Sequence, residues 1–522
     1  MIHALRRRRA LHVALALVLL AALAGCAPVY QAPETPQQPP RLPANEGPLA
    51  EWLREVPAAR EGATGFQMLT SGLDAYQWRA HSARLAEERL YLQYYIWRND
   101  EAGRLLLAEL LHAAERGVQV ALLLDDMDIR GDDRALAALD QHPNAEVRLF
   151  NPYRSRAGAL RAGVELLLRA SDLNHRMHNK AWIADGRLAI VGGRNISNAY
   201  FYTGEPFNFM DIDLAMAGPL AHRAERAFTD YWNSPAAIPI AQLQRGRSGA
   251  EPLEQLQEEL RAWHRARTDH PLYRPAPSSA PVATLLKTEA YTWTRDAELA
   301  VDNPSKALGH SGEPSTRAVL NALGERFAAL EERVTLASPY FVPGAEGTAG
   351  LTDLAQRSVA VSVLTNSLAA TDVALAHSGY ARRRHALLEA GVALYELRPS
   401  AWQHYQADAA FGLGASRASL HTKGAVFDGD EIFLGSFNLD PRSAHINTEL
   451  GVFVRDSEMA TALETIFEQA TDPRFAYRVR LSERGALRWE DDTSTYRRDP
   501  KAGWWRRFVA GFARLLPIES QL

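Results

Sequence analysis

The chain has 522 residues, 47% of them hydrophobic, which is more than one core usually serves, so two domains are expected. Its formal charge is −4, and residues 1–25 hold four arginines and no acid, so the remainder stands at −8. That balance counts against a protein that grips nucleic acid by its phosphates, and the single cysteine, Cys26, excludes an internal disulfide.

Arg6 to Arg9 precede an apolar run, Ala10 to Leu23, that closes on small residues before Cys26. Residues 1–25 resemble a bacterial lipoprotein signal, in which the cysteine becomes the lipidated N-terminus. The resemblance implies an anchor in a membrane of the cell envelope, with the folded part facing the periplasm. Ala27 after the cysteine, in place of Asp, resembles lipoproteins sent to the outer membrane. Residues 26–48, with Pro28, Pro33, Pro36, Pro39, Pro40 and Pro43, read as an extended spacer.

Leu90 to Trp97 reads as a strand, Leu106 to Ala114 has helical apolar spacing with a stop at Gly117, and Val118 to Leu124 is a buried strand ending at Asp125 and Asp126. A short helix, Asp132 to Leu139, leads to the strand Ala145 to Phe150. The order then recurs: strand Val334 to Ala337, a short helix Leu351 to Gln356, strand Val359 to Leu364, helix Val373 to Ala390 with a stop at Gly391, strand Val392 to Leu397. Strands alternating with helices predict βαβ units, an α/β fold present twice. The polar segment Gln242 to Ser279 divides the copies, giving domains at 49–265 and 266–500 and a terminal helix at 501–522.

Each copy is followed by one frame of residues. His178, Asn179, Lys180, Asp185, Gly186, Gly192, Gly193 and Asn195 repeat as His421, Thr422, Lys423, Asp428, Gly429, Gly435, Ser436 and Asn438, all at an offset of 243. His178 to Ala184 reads as a strand, Asp185-Gly186 as a tight turn and Arg187 to Val191 as the returning strand, so His178 and Lys180 share a face. Gly193 lets backbone approach a ligand and Asn195 brings an amide to the same place. An imidazole, an ammonium and an amide, present twice, suit an anionic phosphoryl centre made by two halves. No glycine-rich nucleotide loop and no convincing metal-ligand cluster stands in the sequence, so neither cofactor nor metal is expected.

Both copies match, without a gap, the pattern His-x-Lys-x4-Asp-x6-Gly-(Gly/Ser)-x-Asn, and the chain thereby resembles the phospholipase D superfamily. Gln93 to Trp97, Met177 to Lys180, Val191 to Asn195, Leu364 to Leu368, Tyr395 to Pro399 and Leu434 to Asn438 are similar to the bacterial cardiolipin synthases of type C. The resemblance implies a duplicated phospholipase D fold, two mixed-sheet α/β domains flanked by helices and related by a pseudo-twofold axis. It implies a phosphatidyltransferase that forms cardiolipin from phosphatidylglycerol through a phosphohistidine, with no metal. The catalytic set it carries over is His178, Lys180, Asp185, His421, Lys423 and Asp428, with His178 the nucleophile and His421 the general acid. Asp185 and Asp428 fall in turns and are expected to fix geometry more than to touch phosphorus. Asn195, Asn438, Ser436 and Gly193 join the lysines around the phosphate. An acid after each motif is expected to orient the histidine: Glu449 in the second copy, Asp213 or Asp211 in the first. Expected partners are phospholipids, phosphatidylglycerol and then phosphatidylethanolamine, at a membrane surface, and no nucleic acid. The motif does not separate transfer from hydrolysis to phosphatidic acid; a nucleic-acid phosphodiesterase is disfavoured by the charge and a lipid-binding module by the intact motifs.

Trp505, Phe508, Val509, Phe512 and Leu515 or Leu516 recur at helical spacing beside Arg506, Arg507 and Arg514. Two readings stay open, a helix on a membrane surface and a terminal helix packed on the body. Arg382 to His385 reads as a solvated helix face.

Overall fold

The computed structural model describes residues 41–129, 133–153, 169–203, 207–243, 252–266, 285–309, 313–401 and 417–516, with a few single positions between and after them. The leader, Cys26 and most of the spacer lie outside the described residues. Among the described residues no helix is long and apolar enough to cross a membrane.

In chain order the first half comprises β1 (Thr64–Leu69), α1 (Gly72–Leu85), β2 (Arg89–Tyr94), α2 (Glu101–Glu115), β3 (Gln119–Asp125), β4 (Ala145–Phe150), β5 (Ala181–Ala184), β6 (Leu188–Gly192), β7 (Phe207–Met210), β8 (Asp213–Ala217), α3 (Pro219–Trp232), β9 (Ala237–Pro239) and β10 (Thr292–Thr294). The second comprises β11 (Ala297–Val301), α4 (Ala318–Ala329), β12 (Arg333–Ala337), α5 (Gly344–Gln356), β13 (Ala360–Asn366), α6 (Ala374–Glu389), β14 (Ala393–Leu397), β15 (Arg417–Leu420), β16 (Gly424–Phe427), β17 (Glu431–Gly435), β18 (Leu450–Arg455), α7 (Ser457–Thr471), β19 (Ala476–Leu481), β20 (Leu487–Glu490), β21 (Thr495–Tyr496) and α8 (Trp504–Ala513). Local chemistry sets several ends. Asp100 caps α2 through the Gly103 amide, Asp456 caps α7 through Met459, and Gly117 and Gly391 end α2 and α6 at φ values of 101° and 93°.

The strand orders are β10-β1-β8-β6-β5-β2-β3-β4-β9 and β11-β18-β17-β16-β12-β13-β14-β19-β20-β21. Laid side by side, β1-β8-β6-β5-β2-β3-β4-β9 corresponds strand for strand to β11-β18-β17-β16-β12-β13-β14-β19. In both sheets the first three βαβ strands are parallel and the hairpin carrying the motif is antiparallel. The outer face of the first sheet packs on α1 and α2, and that of the second on α4, α5 and α6. The inner faces share one core with α3 and α7, in which Val191, Leu214, Leu434 and Val452 belong to a single cluster. Two inward sheet faces that would each expose a stripe of apolar residues therefore cover one another.

Several boundaries differ from expectation. The strand expected from His178 begins at Ala181, because Met177 and His178 pair instead with Thr448 of the other half. Leu351 to Gln356 is the latter part of a longer helix, Gly344–Gln356. The changeover between sheets falls between Thr294 and Ala297, later than the division near residue 266.

Candidate active site

The two hairpins are set by their turns. Asp185 and Gly186 take φ 54° and 63°, Asp428 and Gly429 46° and 75°, the paired positive values of a two-residue turn that follows strand twist. The Asp185 carboxylate accepts from the amides of Glu87, Glu88 and Arg89 at 3.0, 3.0 and 2.9 Å, and Asp428 does the same for Glu331, Glu332 and Arg333 at 3.1, 2.8 and 2.9 Å. Both aspartates thus join their hairpin to the start of β2 or β12. They stand at the far end of β5 and β16 from the histidines.

His178 and His421 lie at the opposite ends, both buried. The amide of His178 donates to the Thr448 carbonyl at 2.9 Å and that of His421 to the Met210 carbonyl at 2.7 Å. The next residues along those partner segments are Glu449 and Asp211. His178 Nδ1 lies 2.9 Å from Glu449 Oε2, and His421 Nδ1 lies 2.6 Å from Asp211 Oδ2. Each histidine therefore meets the carboxylate of the other half, with Nε2 left as the nitrogen not bound to it. Of Asp213 and Asp211, the two candidates in the first copy, Asp211 is the one beside a histidine. Asp213 instead pairs with buried Arg79 at 2.8 Å, next to Arg194, whose guanidinium also bonds the Asp211 carbonyl. It anchors the segment and orients no histidine.

The two copies differ at the third glycine position. A Cβ on Gly193 would lie 2.5 Å from Asp211 Oδ2, so only glycine admits the carboxylate there. At the matching position Ser436 donates its hydroxyl to Glu449 Oε2 at 2.5 Å.

Lys180 Nζ donates to the His178 carbonyl at 2.5 Å and faces the Tyr95 ring at 5.3 Å; Lys423 Nζ donates to the His421 carbonyl at 2.6 Å and lies 2.9 and 3.1 Å from the two ring nitrogens of His421. Burial, reinforced by the two lysines, holds both imidazoles well below their ordinary pKa, hence neutral. Burial also lowers Lys180 strongly and Lys423 to about 8, and raises Asp211, and Glu449 to about 7. A bound anion would relieve the repulsion between the two cations.

Asn195 accepts from the Ile96 amide at 3.1 Å and donates to Tyr200 Oη at 2.9 Å, and Tyr200 Oη lies 3.4 Å from His421 Nε2. Asn438 differs: its Oδ1 is buried without a hydrogen-bond partner among the described residues. Motif reasoning missed the groups behind and beside the histidines. Asp125 accepts from the Met177 amide at 2.9 Å and Asn366 from the Leu420 amide at 2.8 Å, so matching strand ends hold the residue before each histidine. Tyr95 stands edge-on to His178, and Tyr200 to His421, both with ring centroids 5.0 Å apart. Asp125 at a strand end and the aromatic run Gln93 to Trp97 were the visible signals.

Elsewhere Arg384 is buried among His377, Glu396 and Asp499, with guanidinium contacts of 3.3, 3.5 and 3.2 Å. A cation already stands among these potential ligands.

A duplicated fold with two crossed histidine–carboxylate pairs at the seam defines a phospholipase D-type protein. The family model described as "Cardiolipin synthase, PLD-like domain" matches residues 81–232 and 325–471. Cardiolipin synthase C of Escherichia coli is 38% identical over 476 residues, covering 90% of this chain and 99% of that protein. A cardiolipin synthase of Staphylococcus aureus is 24% identical over 406 residues, covering 77% and 66%. Among solved structures, the phosphatidylserine synthase of Haemophilus influenzae superposes with a TM-score of 0.56 at 13% identity, over 91% of this chain and all of that one, a likeness of fold. The chain belongs to the cardiolipin synthase family of phospholipase D-like proteins. It is an enzyme of the phosphatidyltransferase type acting in phospholipid metabolism.

Proposed function

We propose that this enzyme forms cardiolipin from phosphatidylglycerol, with a phosphohistidine on His178. The observation that carries this reading is the pair of buried imidazoles, each with Nδ1 on a carboxylate and a lysine beside it. Neutral His178 attacks phosphorus through Nε2 and the bond to the departing glycerol oxygen breaks. His421, which takes up a proton on Nε2 from solvent once the anionic phosphodiester offsets the charge of the two lysines, gives that proton to the departing oxygen and becomes neutral. The acceptor alcohol of a second phosphatidylglycerol then loses its proton to His421 and displaces His178. Lys180 and Lys423 offset the charge on the non-bridging oxygens, with Asn438 beside them. The difference between Ser436 and Gly193 favours this division of roles. Glu449 already accepts the Ser436 hydroxyl, which weakens it as a partner for a charged imidazolium; Asp211 has no such donor at position 193, so His421 holds the proton better.

Supported by the sequence alone, Cys26 is proposed as the lipidated residue that holds the chain at a membrane of the cell envelope, the outer membrane being favoured by Ala27.

The test is incubation with phosphatidylglycerol, with and without phosphatidylethanolamine, and identification of the products. Cardiolipin supports transfer; phosphatidic acid alone makes the enzyme a hydrolase; no lipid product sinks both. For the roles, acid-labile phosphate should accumulate on His178 in His421→Ala and never in His178→Ala; the opposite pattern would reverse the assignment.

A further inference from the structure

The terminal helix α8 carries its apolar side outward. Trp504, Trp505, Phe508, Phe512 and Leu515 are 75, 58, 56, 54 and 80% exposed, while Ala510 joins Leu368, Ala369 and Ala502 in a small core. The rings form a continuous row, Trp505 to Phe508 at 5.5 Å and Phe508 to Phe512 at 6.3 Å between centroids. Val373 and Leu375, at the start of α6, which packs on α8, are exposed apolar residues as well.

This orientation is held by a clamp. Arg382 donates to the carbonyls of Ala513, Arg514 and Leu516 at the end of α8, Arg383 grips Glu519 with two bonds of 2.9 and 2.7 Å, and Arg384 holds Asp499 ahead of the helix at 3.2 Å. The run expected to be a solvated face is therefore the anchor of the C-terminal segment. Three arginines fixing a helix with its aromatic row in water point to a surface that something apolar covers.

Charge selects the occupant. Residues 497–516 contain Arg497, Arg498, Lys501, Arg506, Arg507 and Arg514 against one acid, Asp499, which Arg384 engages. A basic rim around Trp and Phe, on a chain of net charge −4, matches an anionic lipid surface, where indole rings settle at headgroup depth. The patch also adjoins the catalytic seam. Arg506 donates to the carbonyls of Ala369 and Thr371, and the carboxylate of the next residue, Asp372, acts electrostatically on Lys423 and Tyr200 of the site.

We propose that α8, with Val373 and Leu375, docks the folded body on a bilayer bearing anionic headgroups, which sets the catalytic cleft at the lipid surface. The choice of a phospholipid surface rests on the phospholipid reading of the active site, but the test below needs no turnover. In full-length Cys26→Ser, Phe508→Cys supplies the one thiol for an environment-sensitive dye, and Glu325→Cys, exposed on α4, supplies the control. Phosphatidylglycerol–phosphatidylethanolamine vesicles with brominated acyl chains should shift the dye at 508 to the blue and cut its emission roughly twofold, leaving the dye at 325 unchanged. An aqueous dye at 508 on vesicle-bound protein overturns docking, as does an equal change at 325. The same insertion into pure phosphatidylcholine overturns the recognition of anionic lipid. A shift that grows with protein concentration without vesicles assigns the face to a second copy instead. Independently, Trp505→Ser with Phe508→Ser should lose roughly tenfold in turnover on vesicles and keep turnover on dispersed short-chain phospholipid; equal loss on both would also reject the idea. Failure of turnover on every phospholipid would sink the proposed reaction while the dye still decides the docking.

Discussion

At the scale of single residues, the site turns on which carboxylate faces which ring. Glu449→Gln and Asp211→Asn should each lower kcat by about 100-fold or more with little change in KM, because the amide no longer fixes the tautomer or balances the imidazolium. Asp213→Asn should behave differently, losing about 3 kcal/mol of stability by leaving Arg79 buried and unpaired. Steady-state kinetics beside thermal unfolding separates the two, and a purely kinetic defect in Asp213→Asn would contradict its role as an anchor. The pH profile follows from the same burial. In the proposed reaction His178 must be neutral to attack, and its pKa is held well below 6.5, so turnover should persist on the acid side of pH 6.5. In the same proposed reaction Lys423 must stay charged, and at about 8 its deprotonation should make turnover fall above pH 8. Lys423→Arg should move that alkaline limb upward; an unmoved limb would exclude Lys423 as its source.

At the scale of elements, each motif is a hairpin that delivers a histidine from one end and is fastened at the other. Asp185→Ala leaves three amides without their acceptor and should cost about 2 kcal/mol, read as a lower midpoint in chemical unfolding, with activity falling as the hairpin loosens. Gly193→Ala adds a methyl 2.5 Å from Asp211 Oδ2 and should reduce kcat by roughly tenfold through displacement of that carboxylate from His421, while Tm shifts little. Wild-type kcat in Gly193→Ala would mean that the contact is not what positions Asp211. The hairpins were legible in the sequence because Asp-Gly between apolar runs fixes a turn within a few residues of chain. The interruption before Ala181 was not, since pairing between Met177 and Thr448 depends on a segment far along the chain.

At the scale of the whole molecule, the halves are two sheets sharing one inner core and exchanging one carboxylate each. Residues 41–294 and 295–522 produced separately should each be inactive, and co-expression should restore turnover; activity in either half alone would refute the crossed arrangement. The sequence by itself determined the duplication, the βαβ order, the two His-x-Lys frames and the family, because those depend on local periodicity and on residue types at fixed spacing. Only the tertiary structure decided that His178 answers to Glu449, 271 residues away, and His421 to Asp211, 210 residues away. It also set Asp213 against Arg79, turned the arginine run into a clamp, and turned the aromatic side of α8 toward solvent. The physical reason is common to all of these. A hydrogen bond or an apolar contact between distant segments is selected by how the two sheets close on one another, and no local pattern in the chain encodes that partner.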